Sequence, residues 1–406
     1  MNPTAQRKTL VAVTWINATD GIITTIFPPF LQEQGYPVAI IGVVVSIFGI
    51  LSLVSRLPAG LLYRPRRVKK MLYLSLALLS VSTALSPAFS DAASLAALRA
   101  AQGLSFGVAS TLNLALLMDT FAAQGSRARV MAIFSALSAA GYAIGHFASG
   151  ILVDNLGYEA AFRVAALSPL LAAALSSDVE HAPIPGPTHD PPAQRASSFA
   201  RLGTRLAYAR SPAILAISLM AFSLYFLHYL LSTFFPLYGL GVGLSLSTIG
   251  FLKGLNSIFG TITRPISGEA IRFAGYGLLS GAGLVALVAL TAAVPSFDTV
   301  LVLAALFMML GVVRGVVSVS NTIGLAEEVG TDREKRGVAA GVFNTAKDLG
   351  SFVGPALGGL VAQYVGVDRM FRLAPLGILA LYLAFAIGRR VARTASAGDG
   401  ARHLSS

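Results

Sequence analysis

Long apolar stretches alternate with short polar ones along almost the whole chain. Twelve runs stand out: 10–32, 39–62, 70–89, 93–118, 129–153, 160–178, 212–237, 246–268, 276–295, 299–325, 337–364 and 371–389. A helix needs about 20 apolar residues to cross a hydrocarbon core of roughly 30 Å. The runs are too long for barrel strands and lack their alternation. The expected fold class is an all-α membrane protein with 12 transmembrane helices. The pattern breaks over residues 179–210, where His181-Ala-Pro-Ile-Pro-Gly-Pro-Thr-His-Asp-Pro-Pro192 cannot be helical, because proline lacks an amide donor. The chain thus divides into a six-helix bundle at 1–178, a cytoplasmic Pro-rich linker at 179–210, a second bundle at 211–390 and a tail at 391–406. Ser197 to Arg210 reads as a plain tether or as a short basic surface helix.

The two apolar blocks repeat each other. Ser55-Arg-Leu-Pro-Ala-Gly60 recurs as Thr263-Arg-Pro-Ile-Ser-Gly268, 208 positions on. At that offset Asn17, Asp20, Thr24 and Pro28 fall on Tyr225, His228, Ser232 and Pro236, while Gly35, Gly42 and Asn113 fall on Gly243, Gly250 and Asn321. One extra residue makes the offset 209, and Gly141, Gly145, Gly150 and Gly157 fall on Gly350, Gly354, Gly359 and Gly366. A half-chain repeat in so apolar a protein points to a transporter of two similar bundles rocking about a site between them.

Only 12% of the 406 residues are charged, against about 25% in soluble domains, so most of the surface needs lipid as its solvent. The net charge of +12 does not indicate nucleic acid, because the basic residues sit at helix ends. They collect on alternate connections, such as Arg64 to Lys70 and Arg333 to Arg336. The positive-inside rule then places both termini in the cytoplasm of a cell whose inner (plasma) membrane the chain spans. No cleavable leader is evident, since Met1 to Lys8 is short and polar. There is no cysteine, no phosphate-binding glycine loop with its Lys-Ser/Thr, and no HExxH or Cys/His cluster. The expectation is a protein that is not an enzyme, with no cofactor beyond a coupling proton. Its partners would be the bilayer and a small-molecule substrate.

Twelve helices, a six-plus-six repeat and a central linker resemble the major facilitator superfamily over nearly the whole chain. Gly60-Leu-Leu-Tyr-Arg64-Pro-Arg-Arg67-Val-Lys-Lys70 is similar to the family's Gly-x-Leu-x-Asp-Arg-x-Gly-Arg-Arg, with Arg64 in the acid's place. Arg272 takes the acid's place in the second copy. Arg99-Ala-Ala-Gln102-Gly103 is similar to the Arg-x-x-Gln-Gly of proton-coupled members, especially drug–proton antiporters. The antiporters' Gly-x-x-x-Gly-Pro-x-x-Gly-Gly appears complete at Gly350 to Gly359, whereas the fifth helix carries His146 and Ser149 instead. These glycines also have a packing reason, since small residues let membrane helices approach closely. The resemblance implies that helices 1 and 7 line a central cavity, that transport is by alternating access, and that a monomer suffices.

An ionisable group in hydrocarbon is expensive unless it faces a cavity or a partner. Asp20 lies about 15 Å of helical rise into the first run, near the midplane. Asn17, Asp20 and Thr24 share one helical face, and the repeat places Tyr225, His228 and Ser232 opposite. Asp20, His228 and Arg99 are therefore the candidates for proton coupling, with Arg99 tuning the acid because it stays charged itself. Asn17, Thr24, Gln102, Asn113, Tyr225, Ser232, Arg314, Asn321 and Lys347 are the candidates for substrate binding. Arg56, Arg64, Asp119, Arg264, Arg272 and Glu327 sit near cytoplasmic helix ends and read as inner-gate ion pairs, or as snorkelling anchors. The leading expectation is proton-coupled transport of a small organic solute, as drug or metabolite efflux. One alternative is uptake or exchange of an organic anion, because deep Arg and Lys outnumber deep Asp. The other is a receptor or scaffold without transport.

Overall fold

The computed structural model describes residues 3–61, 68–121, 127–176, 208, 210–330 and 333–403. Among these there is no strand. The helices are α1 Pro3–Glu33, α2 Val38–Leu61, α3 Val68–Leu85 and α4 Ala92–Phe121. Arg127–Leu175 is bent at Gly157, with φ 77° and ψ 172°, so it holds two rods, α5 (127–156) and α6 (158–175). Then follow α7 Pro212–Gly241, α8 Leu246–Ala274, α9 Tyr276–Ala293, α10 Val300–Val329, α11 Arg333–Val365 and α12 Val367–His403. The last helix continues well past residue 389, where its apolar run stops. The proline-rich segment 181–192, the loop with Arg64, and most of Ser197 to Arg210 lie outside the described residues.

Nine helical stretches among the described residues are long and apolar enough to cross a membrane, and one of them, Ile133–Leu175, contains both α5 and α6. α8 and α11 are long enough but more polar. Four charges along their middle turns, Lys253, Arg264, Lys347 and Asp348, face the interior, while Glu269 and Arg272 are exposed near the end of α8. The outward surface is apolar instead, with Leu74, Leu278 and Leu301 all exposed. Nothing but acyl chains or another apolar solvent would cover such a surface at low cost.

The sequence repeat is a repeat of backbone geometry. Gly35 and Gly243 turn the chain out of α1 and α7 with φ 81° and 85°, and Gly157 and Gly366 do so between α5 and α6 and between α11 and α12, with φ 77° and 85°. Only glycine adopts these angles without a Cβ penalty. The other repeated glycines work by contact. α5 packs on α1 and α11 on α7. A Cβ at Gly145 would run into the Ala18 carbonyl oxygen, and one at Gly354 would lie 2.7 Å from that of Phe226. This is the packing role expected of small residues.

Two seams join α1–α6 to α7–α12, namely α5 on α8 and α2 on α11. Both close on repeated glycines: Gly150 against the backbone of Leu246 and Ser247 with Gly250 against His146, and Gly42 against Pro355 and Gly359. Hydrogen bonds lock the same end. The Ser247 amide donates to Asp154 Oδ2 at 2.7 Å and the Ala39 amide to Gln363 Oε1 at 3.4 Å. Between the seams, Phe27, Phe30 and Leu31 of α1 and Leu231, Phe234 and Phe235 of α7 belong to one buried apolar cluster. The molecule is sealed at the end that holds Gly35 and Gly243. Toward the other end a cavity opens.

Candidate functional site

The cavity measures about 240 Å³ and lies between the two sets of helices. α1 contributes Asp20 and Thr24, α5 Tyr142 and His146, and α7 Tyr225, His228, Tyr229 and Ser232. Arg264, Arg314, Lys347 and Asp348 come from α8, α10 and α11, and Arg56 of α2 stands at the mouth. Asp20 and His228 thus line one space, as the repeat suggests.

Asp20 is 2% exposed. Its Oδ2 accepts a hydrogen bond from the Tyr142 hydroxyl at 3.0 Å, and its Oδ1 has no partner. Among the described residues no basic nitrogen lies within ion-pair distance of it. A buried carboxyl beside a cavity, with one oxygen free of hydrogen bonds, has a position for a proton. His228 is differently placed. Arg314 Nη1 lies 3.0 Å from its ring nitrogens, and Arg314 Nη2 donates to the Asn256 carbonyl at 3.3 Å. A guanidinium N–H donates only to a ring nitrogen without a proton. Full protonation of His228 and this bond exclude one another.

Opposite Asp20 the wall is cationic. Lys347 Nζ stands 5.0 Å from the Tyr225 ring centroid, and the Arg264 Nε is buried without a hydrogen-bond partner. No carboxylate among the described residues pairs with Arg264, Arg314 or Lys347. Adjacent residues on a helix point about 100° apart, so Asp348 turns from Lys347 and meets Arg56 instead, at 3.3 Å.

Several expected residues are elsewhere. Asn17 donates to the Val13 carbonyl of its own helix at 2.8 Å and is not on the cavity wall. Arg99 is 1% exposed, bonded to Gln102 Oε1 at 2.9 Å, with its guanidinium 4.9 Å and 4.5 Å from the ring centroids of Phe27 and Phe48. Gln102 in turn donates to the Ser82 carbonyl and the Ser86 hydroxyl, which ties α4 to the end of α3. The Arg99–Gln102 motif is thus a cross-brace beside the cavity. Asn321 donates to the Ile217 carbonyl at 3.1 Å, and Asn113 is buried away from the cavity.

The expected gate pairs differ too. Arg56 bonds Asp348; Arg264 faces the cavity; Glu327 is exposed. Arg272 pairs with Glu269 on its own exposed helix surface at 3.5 Å. Arg64 and the Asp119 side chain lie outside the described residues. Phe226, Phe234, Phe235 and Met220 of α7 pack in the core.

Tyr142 and Tyr229 are cavity residues that the sequence pattern did not single out. Tyr142 follows Gly141 of the glycine motif, and Tyr229 follows His228. Aromatic residues in a membrane helix are common enough to hide them. His146 lines the cavity and its Nδ1 is 2.9 Å from the Thr25 hydroxyl. Lys253 sits just behind the wall, in a small pocket with His146, His228 and Asn256.

The family profile of the Major Facilitator Superfamily matches residues 10–355. Among solved structures, a bacterial homologue of the human lysosomal transporter Spinster, inward-facing and unoccupied, superposes with a TM-score of 0.76 at 14% identity, covering 95% of this chain and 97% of that one. A mutant form of the nucleoside transporter NupG gives 0.76 at 13% identity, covering 94% and 99%. No curated protein matches. At such identities the structural likeness carries the fold and not the solute.

Proposed function

The chain belongs to the Major Facilitator Superfamily as a multi-pass membrane transporter and not an enzyme, and from that premise we propose that it moves a small organic anion by proton-coupled alternating access. The observation that carries this reading is the division of one cavity wall. Among the described residues Arg264, Arg314 and Lys347 stand without a carboxylate partner, while Asp20 stands without a cation partner. Unpaired cations around a small cavity favour an anionic guest. The cavity of about 240 Å³ falls just under the roughly 300–1,000 Å³ of drug-sized sites, which suits a small solute. Tyr225 and Tyr229 add aromatic surface to the lining.

Asp20 is the main proton carrier in this reading. His228 is the second titratable group, and its protonation would release Arg314. Proton uptake and anion binding would then be linked through Arg314. The charge bias of the connections favours an open mouth, both termini and the linker in the cytoplasm of an inner-membrane protein, with a monomer as the working unit. Mutual stabilisation of proton and anion in one cavity favours their movement in the same direction; export against proton influx, which the antiporter-like Arg99–Gly103 motif suggests, is the second reading.

A thermal-shift screen of small organic anions against neutral and cationic analogues tests the substrate class. Anions should raise the melting temperature of the purified protein. Arg314→Ala should weaken that binding about tenfold or more, the loss of a charge-assisted hydrogen bond of ~1.5–3 kcal/mol. Stabilisation by lipophilic cations alone would overturn the reading.

A further inference from the structure

Two prolines free two carbonyls, and one ammonium holds both. In an α-helix the amide of residue i bonds the carbonyl of residue i−4. Pro28 lies inside α1 and Pro236 inside α7, and neither has an amide hydrogen. The carbonyls left without their helical donor are those of Thr24 and Ser232. These are repeat mates, and so are the prolines. Lys253 of α8 donates to the Thr24 carbonyl at 2.9 Å and to the Ser232 carbonyl at 3.1 Å, from a position 4% exposed. No carboxylate among the described residues lies within ion-pair distance of it.

The repeat mate of Lys253 is Val45, which has nothing to donate. Duplication therefore explains the two freed carbonyls but not the charge that joins them. The bonds also cross the molecule's main division, because α1 belongs to one set of helices and α7 and α8 to the other. They lie at the boundary between the open cavity and the buried cluster of Phe27, Phe30, Phe234 and Phe235.

We propose that Lys253 is a state-selective clamp, holding α1 to α7 through the proline-freed carbonyls of Thr24 and Ser232 and keeping the far end of the cavity sealed. When that end opens, α1 and α7 must part, and a single side chain on α8 cannot follow both. It keeps the bond to Ser232 within its own set and gives up the bond to Thr24. One clamp bond is broken and remade in each transport cycle, whatever the solute.

The absence of native cysteine makes the test direct. Spin labels on Gln32→Cys and Val242→Cys, both exposed at the sealed end, report the distance between the ends of α1 and α7 in the full chain, in lipid nanodiscs, without solute. Parent protein should give mainly the short distance. Lys253→Met should raise the ratio of long to short by about tenfold, the effect of losing hydrogen bonds from a charged donor. Pro28→Ala with Pro236→Ala, which returns an amide to each carbonyl, should shift the ratio the same way. An unchanged distribution in Lys253→Met would overturn the clamp. So would a double-proline variant identical to the parent, because the Met effect would then come from removing a buried charge alone. If Lys253→Met is not recovered folded, the double-proline variant decides by the same criterion.

Discussion

Asp20 and Asn17 show what one residue's position in a sequence conveys and what it does not. Both belong to a polar stripe with helical spacing, yet Asp20 opens onto the cavity and Asn17 folds back onto the Val13 carbonyl. Spacing places residues on a face but does not say whether a short amide will prefer its own backbone. The same holds for Asn321 and its bond to Ile217. Charges were more legible, because burying one without purpose is expensive. Arg314, Lys347 and Asp20 all reach the cavity, whereas Arg99 is held by Gln102 and two aromatic rings, with its Nε left without a hydrogen-bond partner. At this scale the Arg56–Asp348 pair should matter little to stability. Arg56 is 42% exposed at its side chain, so solvent screens the attraction. A double-mutant cycle on thermal unfolding should return a coupling of about 1 kcal/mol or less.

At the scale of elements, the glycines fall into two classes that one motif in the sequence conceals. Gly141, Gly145, Gly350 and Gly354 let helices of the same set touch, while Gly42, Gly150, Gly250 and Gly359 let the two sets touch at the sealed end. The repeat predicted the pairing of these positions, and the structure supplies their partners. Distinct outcomes are expected from substitution. Gly145→Val and Gly354→Val overpack fixed helix pairs and should destabilise the protein by about 1–3 kcal/mol, read as a lower melting temperature. Gly42→Val and Gly150→Val strain only contacts that the transport cycle must break. They should leave helicity intact and raise labelling of a cysteine placed at Leu231 from the normally sealed side. Helix ends were less legible. α12 runs on to His403 because a polar helix can continue beyond the apolar span that marks it in the sequence.

For the whole molecule, the half-chain repeat is the feature from which most else follows. It places two similar sets of helices about a shared space and brings Asp20 and His228 to its wall. It does not dictate the asymmetries that give the space its chemistry. Those are Lys253 against Val45, His228 against Asp20, and a cationic wall supplied by α8, α10 and α11. Which connections pair at the mouth also escaped the sequence, since Arg56 meets Asp348 only in the observed arrangement of α2 on α11. The central claim is that Asp20 couples solute movement to protons. Transport into sealed proteoliposomes, compared with and without an imposed pH gradient, measures it most directly. Asp20→Asn keeps the shape and the reach to Tyr142 but cannot carry a proton. It should lose gradient-driven accumulation while still exchanging labelled for unlabelled solute at equal pH. Gradient-driven accumulation at the parent's rate in Asp20→Asn would contradict the account.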